Sequence, residues 1–304
     1  MKRAIITGAT GAIGTALIKE LVGNGVEVLV FTRKDSKRNN NIINNPLVTI
    51  KICDLAGLKE ISKTDDREYD VFYHLAWSGT SGSGRNDVEL QDKNVQYALD
   101  AVECAKRFGC KKFIGVGSQA EYGRVNNALT ADTPCKPENE YGRAKLEAGI
   151  KTRELSHSFG MKHNWVRVLS VFGQNDGENS LISYSIRQLK NKQPLELTKG
   201  EQVWDYLFSE DAAKALYLIG EKGVDGKTYV LGSGTTRTLK EYIEIIKGIV
   251  SPETEVLFGA KPYPDKQVMY LKADVSDLKR DTGWMPENDF RSGIIKLVNG
   301  RNYE

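Results

Sequence analysis

Tyr141 and Lys145 stand four residues apart in Tyr141-Gly142-Arg143-Ala144-Lys145, inside a segment whose pattern predicts a helix over 138–159. That spacing puts both side chains on one helix face, a turn apart. A phenol with a pKa of about 10 is a poor acid–base group at neutral pH, and a neighbouring ammonium favours its charged form. The pair could therefore move protons at a reacting oxygen. The same spacing also suits a pair that only packs, and Tyr122 shows how the pattern fails, since Asn126 stands where the lysine would be. Ser118 follows a predicted strand, Lys112–Val116, in the string Gly115-Val116-Gly117-Ser118-Gln119-Ala120-Glu121-Tyr122-Gly123. A hydroxyl there could donate to a substrate carbonyl, because ligands of parallel sheets sit beyond the C-terminal strand ends. A serine-hydrolase elbow would need glycine at 116, where the chain has valine, and a base from only three histidines, His74, His157 and His163.

A second group of residues reads as a dinucleotide site. Thr7-Gly8-Ala9-Thr10-Gly11-Ala12-Ile13-Gly14 joins a predicted strand, Ala4–Ile6, to a predicted helix over 12–22. In this setting the first glycine permits a tight turn, the second admits a diphosphate, and the third lets helix and strand pack. The helix N-terminus adds free amides and a positive dipole end. The second strand, Val26–Phe31, runs into Thr32 and Arg33 with no carboxylate at its end. An acidic residue there would hold a ribose 2′-OH, whereas Arg33 could grip a 2′-phosphate through paired donors. We therefore expect NADP rather than NAD, against the alternative of a solvated basic turn. Asp54, after a third strand at Leu47–Ile52, could accept from the adenine amino group or cap the next turn.

These residues need a scaffold, and the chain is long enough to supply one. Its 304 residues suit one large α/β domain with a smaller partner. Strands at Val71–Leu75 and Asn164–Val171 and a helix over 88–107 complete an alternating β-α pattern, which predicts a doubly wound Rossmann sheet. We expect residues 1–173 with 206–232 to form the dinucleotide domain. Residues 174–205 with 233–304 would form a smaller α/β lobe for substrate. Within that region we expect a strand at Trp204–Phe208, helices over 181–191 and 210–221, and a strand at Thr228–Leu231. Thr238 and Glu241 should form a capping box for a helix over 239–249. The Asn-rich stretch 39–45 reads as a solvated turn. With 43 Lys and Arg against 40 Asp and Glu, the net charge of +3 argues against a nucleic-acid or membrane-surface binder. Cys53, Cys104, Cys110 and Cys135 contain no C-x-x-C pair, so with three histidines no metal site is expected. No apolar run reaches membrane-spanning length and no signal peptide is apparent, so a reduced cytoplasmic setting is expected.

TGATGAIG at 7–14, CDL at 53–55, HLAW at 74–77, GSQAEYG at 117–123 and YGRAK at 141–145 occur in that order. They are followed by RVLSVFG at 167–173, WDY at 204–206 and GWMP at 283–286. Together they resemble the extended short-chain dehydrogenase/reductase family, in its branch of nucleotide-sugar epimerases, dehydratases and 4-ketoreductases. The resemblance implies that Tyr141 is the acid–base residue, that Lys145 lowers its pKa and binds ribose, and that Ser118 polarises the sugar carbonyl. It assigns the diphosphate to Gly8, Gly11, Ala12, Ile13 and Gly14, adenine to Asp54 and Leu55, and the cofactor path to Leu75 and Ala76, with Val168 and Leu169 near nicotinamide; we also expect Thr10, Thr32, Arg33 and Trp77 at the cofactor. Asn94 would support the site or touch the cofactor. The resemblance places Asn179 and Ser180 at the nucleotide diphosphate; we also expect Gln119, Ser170, Trp204 and the unusually Gly/Ser-rich loop with Ser78, Gly79 and Arg85 at the substrate.

The chain departs from the family pattern at instructive places. Relatives close to UDP-galactose 4-epimerase have Arg-Asp-Tyr where this chain has Trp204-Asp205-Tyr206, so Arg237 or a residue near Gln267 is expected to meet the diphosphate instead. The acidic group after the second strand is absent, and the usual double serine is Gly117-Ser118. The acidic pair of the dehydratases is replaced by Gln119-Ala120-Glu121. We expect an NADPH-dependent reductase of a nucleoside-diphosphate 4-keto-6-deoxyhexose. The alternative is a 4-epimerase with tightly held NAD, and a non-catalytic NADP-binding sensor is a third reading. The resemblance also implies a homodimer through helices near 88–107 and 140–158.

Overall fold

A computed structural model describes residues 1–63 and 66–300. Its first half alternates strand and helix: β1 (Arg3–Thr7), α1 (Ala12–Gly23), β2 (Glu27–Thr32), β3 (Val48–Ile52), β4 (Val71–His74), α2 (Val88–Arg107), β5 (Lys112–Ser118), α3 (Glu140–Ser158) and β6 (Lys162–Val168). There follow β7 (Ser170–Phe172), α4 (Leu181–Lys190), β8 (Leu195–Leu197), β9 (Val203–Trp204), β10 (Tyr206–Phe208), α5 (Ser209–Lys222) and β11 (Thr228–Leu231). The chain closes with β12 (Arg237–Thr238), α6 (Leu239–Val250), β13 (Val256–Phe258), α7 (Ser276–Thr282) and α8 (Phe290–Gly300).

Among the described residues, seven strands form one sheet in the order β11-β6-β5-β4-β1-β2-β3, and every neighbouring pair is parallel. The expected doubly wound fold is present. Strands β1, β2 and β4 are apolar on both faces because helices cover both, whereas edge strand β3 leaves Ile50 and Ile52 exposed. Leu17, Leu216 and Ile219 of α1 and α5 pack under one face, while Ala101, Val102 and Ala105 of α2 pack on the other. The strand order reverses between β1 and β4, which opens a crevice above their carboxyl ends.

Two expected strands are each broken by a single residue. Asn164–Val171 divides at Leu169, whose N–H donates to Leu231 O. β6 stays in the large sheet, whereas β7 leaves it and pairs with β10. Trp204–Phe208 divides at Asp205, so that β9 pairs antiparallel with β12. The two breaks carry the chain from the sheet to a second core, where Phe172, Phe208, Tyr242 and Phe290 meet. The capping box of Thr238 and Glu241 opens α6 as expected. In the tail, Leu278 and Trp284 turn back into the core beneath the large sheet, and Trp284 Nε1 donates to Asp211 O.

The Asn-rich stretch is not a solvated turn. Thr32 Oγ1 donates to Asn39 Oδ1 at 2.6 Å, Asn39 Nδ2 donates to Arg33 O, and Asn41 Nδ2 donates to Thr10 O at 3.2 Å. The amides tie the end of β2 to the glycine turn, a use that composition does not reveal. No helix among the described residues is long and apolar enough to cross a membrane.

Candidate active site

The three glycines of the first turn do different work. Gly8 has φ +74°, and a Cβ there would lie 2.6 Å from Ala76 N. A Cβ on Gly14 would lie 2.3 Å from Gly8 O, so the turn and α1 touch through it. Gly11 is constrained by neither: a Cβ there would meet nothing closer than Gly8 O at 4.0 Å. It is the N-cap of α1, makes no side-chain cap, and has no acidic residue in the turn that follows. The start of α1, with Ala12 and Ile13, therefore keeps free amides and open space, which is what a diphosphate needs.

A cleft of about 550 Å³ opens above this turn. Twelve of the residues expected at the cofactor or the sugar line it: Gly8, Thr10, Gly11, Thr32, Arg33, Asp54, Leu55, Leu75, Ala76, Trp77, Ser78 and Gly79. The group fits a dinucleotide, with basic residues at the end of β2 and small or apolar ones at the ends of β3 and β4. Asp54 lines the cleft and its Oδ1 also accepts from Gly57 N–H at 2.9 Å, so it caps the next turn as well. Sequence reasoning missed Ser36, Arg38 and Tyr97, which also line it. The run of basic and polar residues at 33–38 was the available signal for Arg38.

Asn94 is turned inward. Its Oδ1 accepts from Ser78 N–H at 3.0 Å and its Nδ2 donates to Ser78 O at 2.9 Å. Of its two expected roles, the structure shows the supporting one. Gln91, one turn earlier on α2 and unremarked in the sequence, donates to Gly79 O and Gly84 O and accepts from Trp77 Nε1. Two buried amides thus hold the Gly/Ser-rich loop against α2.

Ser118, Tyr141 and Lys145 come together above β5. Asn139 caps α3 by accepting from Gly142 N–H at 2.8 Å, which sets Tyr141 in the first turn and Lys145 in the next. Tyr141 hydrogen-bonds Ser118. Ser118 Oγ accepts from Ala120 N–H at 3.2 Å, and its one hydroxyl hydrogen serves the Tyr141 oxygen. Lys145 Nζ donates to Val116 O at 2.6 Å and lies 3.8 Å from the centre of the Trp77 ring. Arg85 reaches over the Tyr141 ring at 4.5 Å, and Trp77 meets that ring edge-on.

The electrostatics differ from the sequence expectation in one respect. Burial raises the Tyr141 pKa, against the Ser118 hydrogen bond and the Arg85 guanidinium, which lower it. Burial pushes Lys145 down to about 7, with the Glu121 carboxylate opposing it. The phenol is therefore not brought below its ordinary value, because removing its water outweighs the nearby cations.

The other expected substrate residues are dispersed. Trp204 Nε1 donates to Ser170 Oγ at 2.7 Å, so these two meet at the break between the cores, and Arg237 pairs across from Trp204. Gln119 is half-buried just beyond Ser118. Val168 and Leu169 are buried at the end of β6. Asn179 is exposed, and the Ser180 hydroxyl caps α4 by accepting from Ser183 N–H. Gln267 lies apart from the cleft, in a separate cavity of about 360 Å³ with Arg124 and Glu138.

Residues 4–232 match the model of the NAD dependent epimerase/dehydratase family. A putative UDP-glucose 4-epimerase from Methanocaldococcus jannaschii is 25% identical over 306 residues, spanning 97% of both chains. A CDP-abequose synthase from Salmonella typhimurium is 26% identical over 307 residues, spanning 97% of this chain and 96% of its own. Among solved structures, the UDP-N-acetylglucosamine 4-epimerase of Methanobrevibacter ruminantium, in complex with UDP-N-acetylmuramic acid, superposes with a TM-score of 0.87. It is 23% identical and the match covers 99% of each chain. The UDP-glucuronic acid 4-epimerase of Bacillus cereus, in complex with UDP-glucuronic acid and NAD, superposes with a TM-score of 0.84 at 20% identity, over 98% of each chain. With three quarters of its length matched by the family model and the glycine turn, the crevice and the Ser-Tyr-Lys cluster in one fold, this chain belongs to the NAD dependent epimerase/dehydratase family of nucleotide-sugar enzymes.

Proposed function

We propose that this protein reduces the C4 keto group of a nucleoside-diphosphate 4-keto-6-deoxyhexose with NADPH. The observation that carries this reading is the basic pair beside the end of β2. Arg33 and Arg38 both line the cleft where β2 ends in Thr32 without a carboxylate. Two guanidinium groups suit a 2′-phosphate dianion. A cofactor marked by that phosphate suits a reductase, which exchanges it every turnover, better than an epimerase, which returns the hydride to the same sugar.

The bound nicotinamide supplies the hydride. Ser118 turns its hydroxyl hydrogen from Tyr141 to the sugar C4 oxygen. Tyr141, kept protonated by burial, delivers its proton to that oxygen as negative charge develops. Ser118 and Arg85 then stabilise the phenolate left behind, while Lys145 holds ribose. Glu121 is unsuited to the acid–base work of an elimination, because its carboxylate is fully buried against Arg167, Trp165 and the Ser118 amide.

The second reading is a 4-epimerase with tightly held NAD, favoured by the epimerases among the relatives and neighbours. The test is a turnover screen of CDP-, dTDP-, GDP- and UDP-4-keto-6-deoxyhexoses with NADPH, beside a cofactor assay of the purified protein. Consumption of added NADPH supports the reductase. Bound NAD with activity that needs no added cofactor supports the epimerase. Changing Arg33 and Arg38 to Ala should raise the KM for NADPH about tenfold or more and leave that for NADH nearly unchanged. A protein that prefers NADH and ignores both substitutions removes the NADP assignment. We also propose a homodimer through α2 and α3, whose exposed Val88 and Ile150 suit a covered face, and a reducing cytoplasmic setting, in keeping with four free cysteines.

A further inference from the structure

Glu121 is a charged residue with 0% exposure beside the reaction centre. Its Oε1 accepts from Ser118 N–H at 2.8 Å, Trp165 Nε1 lies 3.1 and 3.2 Å from its two oxygens, and Arg167 Nε donates to Oε2 at 2.7 Å. The backbone is shaped around this cluster. A Cβ on Gly117 would lie 2.3 Å from both Glu121 Oε1 and Trp165 Nε1, and one on Gly115 or Gly149 would strike the Trp165 ring at 2.3 or 2.8 Å. The glycine that replaces the family's first serine is thus the space that the carboxylate and the indole require. A buried ion pair of this kind is a costly way to hold a fold together, so its placement against Ser118 asks for a use.

We propose that Glu121 is a positioning residue: its carboxylate, paired with Arg167, fixes the Ser118 main chain and balances the charge beside the Ser118–Tyr141–Lys145 cluster. The inference rests on the Ser118–Tyr141–Lys145 reading above. The groups facing Glu121 are Arg167 and Trp165 from β6, Tyr141 and Lys145 from α3, and Tyr122 and Cys135 from the loop after β5. Arg153 and His163 share the small cavity beside it. Among these, Arg167 supplies the compensating positive charge. Removing the carboxylate alone leaves the guanidinium uncompensated, and neighbouring protons then depart at lower pH.

Glu121→Gln keeps the shape and an acceptor for Ser118 while deleting the charge. The ultraviolet absorbance of the Tyr141 phenolate is read as the difference between each protein and the same protein carrying Tyr141→Phe. In Glu121→Gln this titration should move down by about one pH unit or more. On the active member of the 4-keto-6-deoxyhexose panel, kcat should fall about tenfold or more with NADPH affinity retained. Glu121→Asp, which keeps the charge and shortens the reach to Ser118, is the second variant: it should leave the phenolate titration in place and lower kcat about tenfold. An unmoved titration in a Glu121→Gln protein that binds NADPH, or wild-type kcat in Glu121→Asp, overturns the proposal. Full turnover by Tyr141→Phe would instead overturn the underlying acid–base reading.

Discussion

Lys145 holds an ammonium where the fold has removed its water, and this has a consequence for stability as well as for chemistry. Its pKa is lowered from 10.5 to about 7 by burial. In the unfolded chain it binds a proton more tightly, so it weighs against folding at low pH, and the handicap fades as pH rises from about 7 towards 10.5. Lys145→Met should therefore abolish most turnover yet raise stability by on the order of 1–2 kcal/mol at neutral pH. The gain should be largest below pH 7 and shrink above it. Denaturant melts at pH 6 and pH 10 check this, and equal gains at the two would sink the argument. The same residue shows what a sequence exposes. Tyr141 and Lys145 are legible because helical spacing alone brings them together. Glu121 is not, because Trp165 and Arg167, which give it meaning, lie 44 and 46 residues further on.

Elements were legible wherever one period ran through them, and obscure where the chain changed partner in mid-strand. β1, α1 and β2 follow the expected bounds within about one residue. The strands split at Leu169 and Asp205 read as continuous, since nothing local marks Leu169 and the charge of Asp205 alone does not say that pairing passes there from one sheet to another. The turn between β1 and α1 permits a sharper test. Gly14→Ala drives a methyl group against Gly8 O, so it should destabilise the protein by about 2 kcal/mol or more. Gly11→Ala meets only open space inside the protein, so melting should change by less than about 1 kcal/mol. Its methyl group would occupy the approach of the diphosphate, so NADPH affinity should fall about tenfold. Calorimetric titration and thermal melts on the two variants separate the effects. A Gly11→Ala protein that binds NADPH as tightly as wild type would show that the cofactor does not approach this turn.

At the scale of the whole molecule, we propose that function depends on how a cofactor-binding region and a smaller lobe are held in register at Asp205. We propose the division into 1–173 with 206–232 and 174–205 with 233–304, and Asp205 lies at its seam. The residue is fully buried, and its carboxylate accepts from Ser233 N–H at 2.7 Å, Ser233 Oγ at 2.8 Å, and Gly234 and Ala273 N–H at 3.0 Å each. Two segments that are distant in sequence, Ser233-Gly234 and the one with Ala273, are thereby fixed to the break between β9 and β10, next to the Trp204–Ser170 contact. Asp205→Ala would leave three main-chain donors without their acceptor, at a cost of about 3 kcal/mol or more. Asp205→Asn should do little better, because one of its two oxygens becomes a donor aimed at donors. The cleft over the glycine turn is built from other elements, so both variants should still bind NADPH at low temperature while the KM for the nucleotide sugar rises about tenfold. Parallel loss of NADPH and sugar affinity in a folded Asp205→Asn protein would mean that Asp205 supports the entire molecule rather than the seam between its two parts.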